Sequence, residues 1–305
     1  MKTVPFRKSE GKNTGASVRA LLLNIARKEQ RDYNALLVQF AQERFLYRLS
    51  VSPFSSHFIL KGALLLRAYP LPMARPTRDI DFLGHEISND LQMLEETFRT
   101  ILRAQHNDGV EFLPETISAE EIAEQAEYVG TRAKVRCLIG GARLSLQIDV
   151  GFGDVVVPAP VEMDFPVLLQ FPSPHLRVYS LESSIAEKFE ALAKLGLLTS
   201  RMKDIYDILF IATHHSFRRK ILHGAIVATF SQRSTSIDAI ASILSDTFSA
   251  NQEKQKQWSA FLRLQAGGFQ LQLPEAILRL KAFIDPVLHS DESPSVWDPA
   301  SWKWK

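Results

Sequence analysis

The chain has 305 residues, of which 46% are hydrophobic and 23% charged, the balance of a folded globular protein with enough chain for two domains or for one catalytic domain with a helical extension. Its 36 basic and 34 acidic residues leave a formal charge of only +2, which excludes a globally polycationic nucleic-acid binder and makes any attraction to RNA a local matter. The single cysteine, Cys137, excludes an internal disulfide and a cysteine-rich zinc site. The N-terminus lacks the apolar core of a signal peptide, and no apolar run approaches the roughly 20 residues that span a bilayer, so the chain is expected to be soluble and to act in the cytoplasm.

The first residues carry a basic group, Lys2, Arg7, Lys8 and Lys12. Residues 17 to 49 then repeat apolar side chains every three or four positions, through Leu22, Ile25 and Ala26 and on to Tyr33, Leu36, Leu37 and Phe40, which predicts two helices. Phe58 to Leu60 reads as a short strand that runs into Lys61-Gly62 and a helical stretch from Ala63 to Tyr69, ended by the proline-bearing segment 70 to 76. Thr77 to Gly84 reads as a strand bounded by proline and glycine, followed by a helix from about Asp90 to Arg103 and a more acidic helix from about Ala119 to Tyr128. Ala133 to Ile139 and Ala142 to Val150 are predicted to form a hairpin about Gly140-Gly141, because both turn positions tolerate positive φ. Five prolines between 158 and 174 mark 155 to 178 as a loop-rich linker. From Ser180 to Pro286 the pattern is helical, with a further basic cluster at Arg218, Arg219 and Lys220, and the end carries Trp297, Trp302 and Trp304 without periodicity, a tail that docks by its tryptophans.

The chemistry concentrates on a few positions. Asp79 and Asp81 are two apart on a strand, so both project from one face while Ile80 and Phe82 enter the core. Carboxylates that close repel unless a cation sits between them or one is protonated, and Mg²⁺ suits a few carboxylates plus phosphate oxygens; the plain alternative is a solvent-facing acidic edge beside Arg78. Lys61-Gly62-Ala63 marks a turn where glycine lets backbone amides approach a phosphate. Asp149 lies on the polar face of the second hairpin strand and is a third candidate carboxylate for a two-metal phosphoryl-transfer site.

Lys188 falls in the apolar stripe of the helix that begins near Leu181, which leaves two readings: an ammonium that snorkels to the surface, or one that reaches a phosphate or an acidic cleft. Ser184 and Glu187 have the spacing of a capping box. Asp204 and Asp207 lie three apart on the less apolar side of a later helix, where Lys203 and Asp207 have ion-pair spacing. The eight histidines show no metal-ligand spacing.

With these residues assembled, the chain resembles the AbiEii/AbiGii nucleotidyltransferase toxins of the wider polymerase-beta-like superfamily. The resemblance is carried by Leu60-Lys61-Gly62-Ala63, Thr77-Arg78-Asp79-Ile80-Asp81-Phe82, Gln147-Ile148-Asp149-Val150, Glu187-Lys188-Phe189 and Arg201-Met202-Lys203-Asp204-Ile205-Tyr206-Asp207. It implies an α+β fold: a polymerase-beta-like core of a small mixed sheet flanked by helices, with a helical C-terminal domain. The corresponding division is N-terminal helices over 1–50, a nucleotidyltransferase core over 51–178, a helical domain completing the active site over 179–290 and a tail over 291–305. The family commonly has a second glycine or a serine where this chain has Ala63, so the backbone amide is retained there but a hydroxyl is not.

The implied activity is transfer of NMP from an NTP to an acceptor hydroxyl, in characterised relatives the 3′ end of tRNA, by a toxin paired with an antitoxin. Asp79 and Asp81 would bind Mg²⁺ with Asp149 as a third metal ligand, Lys61, Gly62, Ala63, Arg78 and Lys188 would contact the nucleotide, and Asp204 or Asp207 would assist catalysis. Arg75, Arg78, Lys61, Arg201 and Lys203 are the local basic residues available to RNA. The alternatives are the same chemistry on a protein or antibiotic hydroxyl, and a catalytically silent binding module.

Overall fold

In the computed structural model the described residues are 14–72, 75–124, 128–265, 270–289 and 295–305, so the basic group Lys2, Arg7, Lys8 and Lys12 lies outside them. The chain divides into two compact units, one formed by Met1–Pro70, Pro76–Gly153 and Val161–Val178, the other by Leu71–Arg75, Asp154–Pro160 and Tyr179–Lys305.

The first unit is a mixed sheet with helices packed on it. Two helices, α1 (Thr14–Glu29) and α2 (Tyr33–Ser50), precede strand β1 (Phe58–Lys61), strand β2 (Asp79–Gly84), helix α3 (Leu91–Arg103), strands β3 (Val110–Glu124), β4 (Tyr128–Ile139) and β5 (Ala142–Phe152), and two short strands, β6 (Val161–Asp164) and β7 (His175–Val178). Among the described residues the sheet runs β3-β4-β5-β2-β1-β7-β6. Strand β2 is therefore internal, antiparallel to β1 and parallel to β5.

Its alternation decides which face is buried. Ile80 and Phe82 are fully enclosed, and the Phe82 ring lies 5.5 Å from Phe58 and 6.4 Å from Phe45 of α2, with Phe98 of α3 5.3 Å from Phe58. Burying each such ring stabilises the fold by roughly 1.5–3 kcal/mol, and with a side-chain period of two the same packing turns Asp79 and Asp81 to the opposite face.

Helix α2 also buries charge. Arg48 holds Asp108 through two hydrogen bonds, of 2.7 and 3.2 Å. Glu43, wholly enclosed, accepts from Gln39 Nε2 at 2.9 Å and from the Leu168 amide at 2.9 Å; burial pushes its carboxyl up to about 7 in spite of these donors and the nearby arginines.

Three sequence expectations change here. Of the helix expected over 119 to 128, residues 119–124 are instead the end of β3, paired with β4 from Ala119↔Ala133 to Glu124↔Tyr128; 125–127 lie outside the described residues. The Ala/Glu composition favours a helix locally, but the long ladder against β4 overrides it. Ala63 to Tyr69 holds only a four-residue 3₁₀ turn, Leu64–Arg67, too short to present the dipole of an α-helix N-terminus. The segment 155–178 contributes β6 and β7, and β7 joins the sheet parallel to β1 through Leu60↔Val178, so it is not purely a linker.

The second unit is helical: α4 (Leu181–Leu195), α5 (Met202–His214), α6 (Arg219–Gln232), the short α7 (Ile240–Ile243) and α8 (Asp246–Ser249), α9 (Gln252–Arg263) and α10 (Leu273–Leu288). Helix α4 is capped by Ser180, whose hydroxyl accepts from the Ser183 amide at 3.2 Å. Ser184 is thus already inside the helix, and the expected Ser184/Glu187 capping box does not form. Trp297 opens a two-stranded ribbon, β8 (Trp297–Asp298) with β9 (Lys303–Trp304). Its ring is fully buried 4.8 Å from Phe283, and its Nε1–H donates to the Ala212 carbonyl at 2.7 Å. No described helix is long and apolar enough to cross a membrane.

Candidate active site

In the first unit the pairing of β2 places the candidate carboxylates in a row. Asp81 is the register partner of Asp149 on parallel β5 and of Lys61 on antiparallel β1, while Asp79 is the partner of Gln147. Asp149 is in turn opposite Arg132 on β4, and Arg132 is opposite Glu120 on β3. Register partners share a face, and adjacent strands lie about 4.8 Å apart, so Glu120, Arg132, Asp149, Asp81 and Lys61 form a charged line across five strands. Asp79, Asp81 and Asp149 are all partly exposed.

Gly62 meets this line at Asp81. Its φ is +69°, and a Cβ built on it would lie 1.9 Å from Asp81 Oδ2, so the position excludes a side chain both by backbone conformation and by space. Ala63 follows at 6% exposure and Arg78, just before Asp79, is exposed.

Asp149 does not stand free on this face. Arg132 donates from Nε to Oδ1 at 2.9 Å and from Nη2 to Oδ2 at 2.7 Å, and Gln147 Nε2 adds a contact of 3.1 Å to Oδ2. The bond to Asp149 raises the guanidinium above its ordinary pKa, against the lowering effect of burial. Among the described residues no three Asp, Glu, His or Cys side chains converge closely enough to hold a metal ion.

Arg132 was not singled out from the sequence, although a signal for it existed. In a hairpin with a two-residue loop the partners are fixed by counting outward from Ile139↔Ala142, and Gly140 and Gly141 do adopt φ of +51° and +86°. The same count reaches Arg132↔Asp149.

The second unit gathers the other candidates. Lys188 of α4 donates from Nζ to Asp207 Oδ2 at 2.9 Å and lies 3.5 Å from Asp204 Oδ1, both on α5. Arg75 forks onto Asp207 with bonds of 2.9 and 3.0 Å, and Arg201 Nε donates to Asp204 Oδ2 at 2.5 Å. Asp204 and Asp207 are 1% and 0% exposed, so the side of α5 they occupy is its buried one. Lys203 is exposed, and the ion pair expected from its spacing to Asp207 gives way to Lys188 and Arg75.

Lys188 does not snorkel: its side chain is 11% exposed and its charge is met inside. Burial pulls the ammonium down, but Asp207 and Asp204 outweigh it and leave the pKa raised. For Asp207 burial pushes upward, and Lys188 with Arg75 more than reverses it, so the carboxyl stays ionised below its usual range. Arg75 and Arg201 spend their guanidinium groups on these aspartates; of the local basic residues considered for RNA, Arg78 and Lys203 are exposed.

Nearby, Arg233 collects three carboxylates, with contacts of 2.8 Å to Asp154, 3.0 Å to Glu190 and 3.6 Å to Glu187. Lys254 of α9, buried, donates to the Thr199 carbonyl at 2.6 Å, and Thr199 Oγ1 accepts from the Arg201 amide at 3.2 Å. The contacts of Arg233 and of the Lys254 ammonium join residues far apart in sequence and leave no periodic mark.

A mixed sheet with paired aspartates on its internal strand, beside a glycine turn, and a helical unit with a buried lysine–aspartate cluster define a protein of the nucleotidyltransferase class. The family model described as "Nucleotidyl transferase AbiEii toxin, Type IV TA system" matches residues 44–282, and the chain belongs to that family. It is accordingly a nucleotidyltransferase toxin of a type IV toxin–antitoxin family, which implies an antitoxin partner. Among solved structures, JHP933 from Helicobacter pylori is similar at a TM-score of 0.50 and 16% identity, over 84% of this chain and 93% of that one, a likeness of fold. An antigenic nucleotidyltransferase-like protein from Paracoccidioides brasiliensis matches at a TM-score of 0.34 and 15% identity, over 65% of this chain and 92% of that one. No curated protein matches the sequence.

Proposed function

We propose that the enzyme transfers NMP from an NTP to the 3′ hydroxyl of a tRNA in the cytoplasm, with Mg²⁺ held by Asp79 and Asp81. The observation that carries this reading is the placement of both carboxylates on one face of the internal strand β2, with Gly62 pressed against Asp81. The donor set suits the ion: two hard carboxylates on a rigid strand, with the remaining positions left to water and phosphate oxygens. Bound there, the ion would neutralise triphosphate charge and polarise the reacting phosphoryl group.

The chain's own residues supply the rest. Lys61 and Arg78 add positive charge beside the carboxylates, and the backbone at Gly62 and Ala63 approaches a phosphate without a side chain in the way. Asp149 provides the third carboxylate next to Asp81. In the helical unit Asp204 and Asp207 hold the Lys188 ammonium in place, with Asp207 also fixed by Arg75 and Asp204 by Arg201. That arrangement makes the two aspartates positioning residues for Lys188.

Incubation with each labelled NTP, Mg²⁺ and total tRNA tests the proposal. Labelled tRNA with the wild type and none with Asp81→Ala supports it. Equal labelling by both eliminates the site, and loss of label from tRNA with gain on protein or a small hydroxyl compound reassigns the acceptor.

A further inference from the structure

Neighbours on the sheet take three of the lone-pair directions of the Asp149 carboxylate. A carboxylate offers about four lone-pair directions; Arg132 occupies two in the fork geometry that binds carboxylates most firmly, and Gln147 takes a third. The row of register partners places a cation, two carboxylates and a cation side by side: Arg132, Asp149, Asp81 and Lys61. Asp149 therefore adjoins Asp81 yet points its oxygens into the guanidinium. The absence of any three-residue metal cluster among the described residues agrees with this.

We infer that Arg132 is a positioning residue that latches Asp149 away from the divalent cation, so that the resting site binds the cation through Asp79 and Asp81 alone. The inference rests on the carboxylate reading proposed above. Arg132 is 31% exposed along its side chain, so its fork has solvent-facing room to turn from Asp149 to a phosphate when a cation competes for the carboxylate. The latch also has its own counterweight, since Glu120 faces Arg132 across β3 and β4 and is itself tied to Lys134 at 2.8 Å.

The test is Mn²⁺ affinity of the full chain without nucleotide, measured by titration calorimetry or by the free-ion resonance signal. Removing the fork with Arg132→Met is expected to tighten Mn²⁺ binding about tenfold, the scale on which a ligand's outer partners act, and Arg132→Lys, which keeps the charge but not the fork, by a smaller factor. In the presence of Asp149→Asn, Arg132→Met is expected to change affinity less than twofold. Equal tightening with and without Asp149 would mean that the arginine acts only by through-space charge, and it overturns the latch, as does no tightening in either arginine variant with unchanged melting. Separately, Asp81→Asn must weaken wild-type binding; if it does not, the carboxylate reading fails and takes the latch with it.

Discussion

Gly62 and Asp81 are in contact so close that position 62 has no room for a Cβ: the nearest carboxylate oxygen would be 1.9 Å away. With the positive φ, this makes Gly62→Ala doubly strained. The substitution should destabilise the chain by about 1–2 kcal/mol and, by displacing the Asp81 carboxylate, lower nucleotidyl transfer at least tenfold. A denaturant melt and the tRNA-labelling assay check the two effects independently; full transfer in Gly62→Ala would show that Asp81 does not need its present orientation.

Asp207 should be the most costly single residue of the helical unit. It is the buried carboxylate for both Lys188 and Arg75, and its removal leaves two cations facing each other. Asp207→Asn is expected to lose about 3–5 kcal/mol in urea unfolding. Because its pKa is held below the ordinary carboxylate value, its contribution is present above that value and fades as pH falls through the folded pKa. The wild type should therefore lose more stability than the variant on acidification below about pH 4.

Glu43 works in the opposite sense. Its carboxyl titrates at about 7 in the fold against 4.5 ordinarily, so between those values the folded state binds more protons than the unfolded one. Stability then falls as pH rises from about 4.5 to about 7 and levels off above, by an amount on the order of 3 kcal/mol. Urea midpoints measured from pH 5 to 8 should show this decline in the wild type and a flatter profile in Glu43→Gln; parallel profiles would assign the decline to another group.

Trp297→Phe keeps most of the apolar volume but removes the donor to the Ala212 carbonyl, in the last turn of α5 where no helical donor is left for it. A loss of about 1–2 kcal/mol in thermal or chemical unfolding is expected, and a neutral result would mean that water replaces the indole.

How much of this the sequence discloses depends on the range over which each signal acts. The Asp79/Asp81 pair, the glycine hairpin and the apolar stripe holding Lys188 are local patterns and can be read directly. Residues 119–124 cannot, because their helix-favouring composition is overruled by a strand partner. The same holds for Lys188: its place in the stripe is visible, but its neutralisation by Asp207 depends on how α4 meets α5, and Arg75 reaches Asp207 from 132 residues away in sequence. Arg132 is the intermediate case, accessible by counting once the loop length is accepted.

Strand β2 has hydrogen-bonded neighbours along both edges, and the carboxylates thus sit on one of the stiffest parts of the sheet. Amide exchange should accordingly be slow at Ile80 and Phe82. On the reading proposed above, a reaction centre mounted in this way gives little by itself, so adaptability toward different nucleotides or acceptors falls to long side chains such as Lys61, Arg78 and Arg132, which can swing while the carboxylates stay fixed.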